Sequence, residues 1–164
     1  MDKFRYKYTA MFSAAVTLTF IMALSSPVLA SCLPGELGNW SLASEHVTDL
    51  TTSENLGRWT SASYVRSESP ARIDVQLTEG PGPGVLLVPE GMISSDDGPI
   101  GFLSTYETLS VAGIRAVLER GDVTGQALAV ALGARTVTFE ARGISREELL
   151  SFAENMIKAL LDER

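Results

Sequence analysis

The sequence predicts an α+β fold: an antiparallel β-sheet of about six to seven strands with a C-terminal amphipathic helix packed on one face. Three observations lead there. Several short segments alternate apolar and polar residues at period 2 and are separated by Gly- and Pro-rich breaks. The gaps between the later segments are short enough for antiparallel hairpins and too short for parallel crossovers. The final stretch switches to a helical period behind a capping box. The chain has 164 residues, and the part beyond its N-terminal segment is the size of one domain with one core.

Lys3, Arg5 and Lys7 form a basic start, and Ala10 to Leu24 is apolar and uncharged. Ser25, Ser26 and Pro27 break that stretch, and Val28-Leu29-Ala30 comes next with small residues at the cleavage region. This order is that of a secretory signal peptide, expected over 1–31. The apolar stretch is shorter than the ~20 residues that span a bilayer, so a retained anchor is the lesser reading.

Two cleavages compete. Val28-x-Ala30 suits an ordinary signal peptidase, which would release a soluble periplasmic or secreted chain starting at Ser31. Leu29-Ala30-Ser31-Cys32 resembles the lipobox of bacterial lipoprotein precursors. That resemblance covers this segment alone. It implies that Cys32, the chain's single cysteine, carries a thioether-linked diacylglycerol and becomes the mature N-terminus. The membrane would then be a partner through the anchor. With Leu33 and not Asp after the cysteine, the resemblance implies the outer membrane in a Gram-negative cell.

Residues 32–38 are expected as a short tether and 39–164 as a single domain, with Trp40 and Leu42 the first to dock. Glu45 to Asn55 is polar with weak periodicity and is assigned no element. Arg58 to Arg66 is rich in strand formers and is expected to pair with Arg72 to Leu77. There Ile73, Val75 and Leu77 alternate with Arg72, Asp74 and Gln76. Gly80 to Gly84 is a break, Val85 to Val88 a short apolar run, and Ser94 to Pro99 a loop.

Leu109 and Val111 share one parity, and Ile114, Ala116 and Leu118 the other. The switch at Ala112-Gly113 predicts a bulge or bend within one long strand. Gln126 to Leu132 is apolar at both parities, which predicts a central strand covered on both sides. Gly133-Ala134 turns it into Arg135 to Arg142, where Val137, Phe139 and Ala141 alternate with Thr136, Thr138 and Glu140. Ser145 and Glu148 make the capping box of the last helix. Leu149, Phe152, Ala153, Met156, Ile157 and Leu160 form its apolar stripe, and Lys158 stands near its far end. This strand-Gly-cap-helix ending resembles, generically, those of several exported bacterial α+β domains. The resemblance implies a fold class and no activity.

Composition narrows function. The whole chain carries a net charge of −7, and removing the basic signal leaves the rest more acidic still. Such a surface disfavours nucleic acid and anionic headgroups. His46 is the single histidine, with Asp49 three residues on, but no nucleophile elbow accompanies them. A zinc site would need more Cys or His than one of each. Asp96 and Asp97 are adjacent and not spaced as a calcium loop requires. Gly80 to Gly84 lacks the lysine of a phosphate loop. Arg120-Gly121-Asp122 reads as a turn, and Asn39-Trp40-Ser41 fits a glycosylation acceptor only in a host that glycosylates.

No catalytic residue, metal ligand or cofactor site is therefore assigned. The expected function is an exported, lipid-anchored, non-enzymatic cell-envelope domain that binds or helps assemble an unidentified protein. The alternative is a periplasmic carrier of a small apolar ligand lined by Val85, Leu109 and Leu128. An enzyme built on a carboxylate pair is the third class.

Overall fold

The computed structural model describes residues 33–51, 56–67, 69–80, 90–95, 104–121 and 125–162. The signal region with Leu29, Ala30, Ser31 and Cys32, the Val85 to Val88 run, and Asp96, Asp97 and Asp122 lie outside them.

Among the described residues nine strands and one helix succeed one another. The strands are β1 (Glu36–Leu37), β2 (Trp40–Thr51), β3 (Leu56–Arg66), β4 (Arg72–Glu79), β5 (Met92–Ser95), β6 (Ser104–Val111), β7 (Ile114–Gly121), β8 (Gly125–Leu132) and β9 (Arg135–Arg142); the helix is α1 (Arg146–Asp162). All strands join one antiparallel sheet in the order β1-β2-β3-β4-β9-β8-β7-β6-β5. Two meanders, β1 to β4 and β5 to β9, meet at a seam where Ile73, Val75 and Leu77 face Ala141, Phe139 and Val137. The α+β class and the C-terminal helix stand. The strand number exceeds the expected six to seven: eight strands have four residues or more, and β1 has two.

The extra strands have identifiable causes. β2 covers much of the segment left unassigned, because its inward residues beyond Leu42 include Glu45 and Asp49 and so hide the apolar alternation. A register shift between Leu42 and Ser44 further breaks its period. The parity switch at Ala112-Gly113 is a hairpin turn between β6 and β7, with Val111 opposite Ile114, and not a bulge. Both turn residues have positive φ, 49° at Ala112 and 79° at Gly113. That is the pattern of a type I′ turn, and alanine is an unfavourable occupant of its first position.

The helix lies against the concave face and touches β1, β6 and β9, so the sheet wraps around it. Phe152 is the centre of this contact. Its ring meets Tyr64, Trp40 and Phe139 edge-on, at centroid distances of 5.1, 5.6 and 6.0 Å. Leu149, Ala153, Met156, Ile157 and Leu160 bury the rest of the stripe. β8 is interior to the sheet as expected, but only Leu128, Val130 and Leu132 are fully covered; Ala127, Ala129 and Ala131 are half-buried on the outer face.

Helix ends are satisfied. The Glu148 N–H donates to Ser145 Oγ, and the Ser145 N–H donates back to Glu148 Oε2, both at 3.1 Å. The last turn holds no basic residue, and Lys158 pairs instead with Glu154. Arg135 of β9 supplies the cation there, donating from Nη2 to the Leu160 carbonyl at 3.3 Å.

The segment expected as a tether is packed. Leu33 is 2% exposed and belongs to the core, as does Leu37. Tyr64 donates its hydroxyl to the Pro34 carbonyl at 2.7 Å, and the Leu42 N–H donates to the Gly35 carbonyl at 2.8 Å. Among the described residues the packed core thus reaches back to Leu33, within the 32–38 segment, because two leucines outweigh the loop-like Pro and Gly around them.

The turn and the cap can each be checked by substitution. Ala112→Asn should raise unfolding stability by about 1 kcal/mol, read by urea denaturation, since Asn tolerates the left-handed region. The N–H of Ser145 and then the Arg66 guanidinium, 2.7 Å from Glu148, hold that carboxyl below its ordinary value of 4.5. Its stabilising effect is therefore complete above that value and is lost as pH falls through the lowered one. Glu148→Gln should flatten the fall in melting temperature on acidification below about pH 4.5 while keeping the cap.

Candidate functional site

Opposite the helix, the outer face of the sheet carries Trp59 and Val117 by register but is otherwise mostly small or polar. Much of it is small and neutral: Ser44, Ser61, Thr78, Thr136, Thr138, Ala129 and Ala131 occupy it by register. On β4, β9 and β8 the outward charges gather at one end, in two adjacent cross-strand pairs. Arg72 stands opposite Arg142, and Asp74 stands opposite Glu140. Each is a like-charge pair, the unfavourable choice at directly opposed positions. Beyond Glu140 the same row continues through Ala127 to Glu119 of β7.

These residues line a depression of about 650 Å³ together with Pro70, Gly125 and Gln126. A second depression of about 310 Å³ adjoins it across Arg72, Asp74 and Glu140 and extends to Ser44, His46 and Trp59. Gly125, which lines the first one, packs closely against β9. Its φ is 87°, and a Cβ there would lie 2.8 Å from the Ala141 carbonyl and 3.0 Å from Arg142 Cγ.

Hydrogen bonds order one side of the cluster. Ser63, nearly buried, donates to Asp74 Oδ1 at 2.6 Å. Arg72 donates from Nε to Asp74 Oδ1 at 2.7 Å and from Nη2 to Ser63 Oγ at 2.8 Å, closing a triangle. Gln76 donates to Glu140 Oε1 at 2.9 Å. Glu119 accepts from Ser104 Oγ at 3.1 Å and from the Tyr106 hydroxyl at 3.3 Å. Among the described residues Arg142 is exposed and has no ion-pair partner.

The other residues considered from sequence do not converge. His46 is exposed on the outer face opposite Ser61, whereas Asp49 has the opposite parity and lies 3.4 Å from Arg58. Asn39 is exposed in the turn before buried Trp40. Arg120 and Gly121 end β7. Leu128 has no exposure, and Leu109 packs against the core beside the helix-filled face. Among the described residues no three Cys, His, Asp or Glu side chains come together as a metal site.

The carboxylates left open by sequence do come together, but on an open face and not in a deep cleft. The alternation in β4 and β9 marks Arg72, Asp74, Glu140 and Arg142 as outward. What a single sequence lacks is the register that sets these four opposite one another. The arrangement places charges of both signs on one open face, with the Ser63, Ser104 and Tyr106 hydroxyls hydrogen-bonded to its carboxylates. No protein-family model, curated protein or solved structure matches this chain.

Proposed function

We propose that this chain is an exported, non-enzymatic cell-envelope domain, lipid-anchored at Cys32, that offers its outer sheet face for binding or assembly. The observation that carries the reading is the order of its first 32 residues: a basic start, an uncharged apolar stretch, then Leu29-Ala30-Ser31-Cys32. Acyl chains at Cys32 would anchor it stably, each buried methylene being worth about 0.8 kcal/mol. Because Leu33 is already core, such an anchor would have almost no slack, and the sheet end bearing Leu33 would lie against the bilayer. Unidentified envelope proteins are the partners in this reading, and the acidic chain disfavours nucleic acid.

A soluble periplasmic or secreted form, cut before Ser31, is the second reading, favoured by the small residues at Val28 and Ala30. The apolar-ligand carrier draws less support, since α1 occupies the concave face such a ligand would use and Leu128 is sealed beneath it. Of its proposed lining, Val85 lies outside the described residues.

The mass of the processed N-terminus tests the anchor. A chain beginning at Cys32 with added acyl mass supports it, and a chain beginning at Ser31 without lipid contradicts it. Under the anchor reading Cys32→Ser should stay unprocessed or leave the membrane fraction.

A further inference from the structure

We propose that the depression over β4, β9, β8 and β7 is a binding site for a small zwitterion of dipeptide length with free amino and carboxylate ends. The inference deepens the binding role of the outer face and is independent of the anchor at Cys32.

Like charges set directly opposite one another cost stability in a sheet. A single such pair is unremarkable on a solvated face. Here two stand in successive outward positions of the same two strands and have opposite sign, Arg72 with Arg142 and Asp74 with Glu140. The neighbouring outward positions, Gln76, Thr78, Thr138 and Thr136, carry no charge. A dipolar ligand lying along β9 would bring opposite charge to Arg142 and Glu140, the members of the two pairs on that strand.

The charges available to it are unequal. Arg72 and Asp74 already satisfy each other through Ser63. Arg142, Glu140 and Glu119 line the depression with no ion-pair partner among the described residues. Glu140 and Glu119 sit on either side of Ala127, each one strand spacing, about 4.8 Å, from it. Two carboxylates flanking a methyl group form a seat for an ammonium, which can donate to both sides. Ser104 and Tyr106 orient one wall of that seat through Glu119. The anion belongs two residues further along β9, at Arg142, whose fork can take a carboxylate in two hydrogen bonds. Positions two apart on a strand are separated by about 7 Å, and two extended residues span about the same length. Gly125, lacking a side chain, lets the Arg142 side chain pack close beside it. The three charges facing the ligand sum to one negative, so the ammonium end contributes more than the carboxylate end.

The test is titration of the purified full-length protein with alanyl-alanine, its N-acetyl form and its C-terminal amide, read by calorimetry and backbone amide shifts. Saturable binding of the free dipeptide is expected, with shifts at Ala127 and Glu140. Either blocked form should bind at least tenfold more weakly. Glu140→Gln should abolish the preference for a free amine while leaving that for a free carboxylate. Arg142→Gln should do the reverse. Glu119→Gln gives a second reading of the amine seat if Glu140→Gln fails to fold. No saturable binding, or equal binding of all three compounds by the unaltered protein, overturns the site. So does affinity unchanged by both substitutions. These outcomes leave the anchor untouched, because the N-terminal mass reads it separately.

Discussion

The packing of Phe152 against Trp40, Tyr64 and Phe139 is the contact on which the rest of the structure depends. These rings come from β2, β3 and β9, so one side chain bridges the first meander and the strand that joins the second to it. Each edge-on contact is worth about 0.5–1.5 kcal/mol beyond the area it buries. A nine-stranded open sheet has a concave face that no sheet contact can cover, and the last seventeen residues of the described chain, α1, are what close it. The capping box and Arg135 fix the ends of that helix, so its stripe arrives at the sheet in one register.

The same closure reaches the N-terminus. Leu33 and Leu37 join the core, and Arg66 lies over Trp40 with its charged carbon 5.2 Å from the ring centre while pairing with Glu148. Helix start, strand β3 and the first docked turn are thereby one contact group. Whatever lies at Cys32 is attached to the core by a single peptide link. The helix closes the concave side, and the outer face carries the Arg72, Arg142, Asp74 and Glu140 cluster.

Local pattern made much of this legible in the sequence. β4 and β9 show their alternation through inward Ile73, Val75 and Leu77 and inward Val137, Phe139 and Ala141, β8 stands out as apolar at both parities, and α1 is marked by Ser145, Glu148 and a regular stripe. β2 did not, since the inward Glu45 and Asp49 lie toward the sheet edge where burial is incomplete. The β6–β7 hairpin resembled a bend because alanine stands where Asn or Gly usually marks a type I′ turn. Leu33 and Leu37 looked like tether because their neighbours are Pro34, Gly35 and Gly38. The candidate site was visible only as outward residues, for its defining property is register across β4 and β9, which no local signal encodes.

Through Phe152, α1, the N-terminal turn and both meanders are joined as one cooperative unit. Amide hydrogen exchange on Phe152→Ala, combined with denaturant unfolding, tests it most directly. Phe152→Ala should cost about 3–5 kcal/mol, with faster exchange at the Leu42 amide in step with the β4–β9 seam. A loss below about 1 kcal/mol, far under what an aromatic core truncation costs, would contradict it. So would an accelerated helix beside an unchanged Leu42 amide, for then the N-terminal turn would hold to the sheet without the helix.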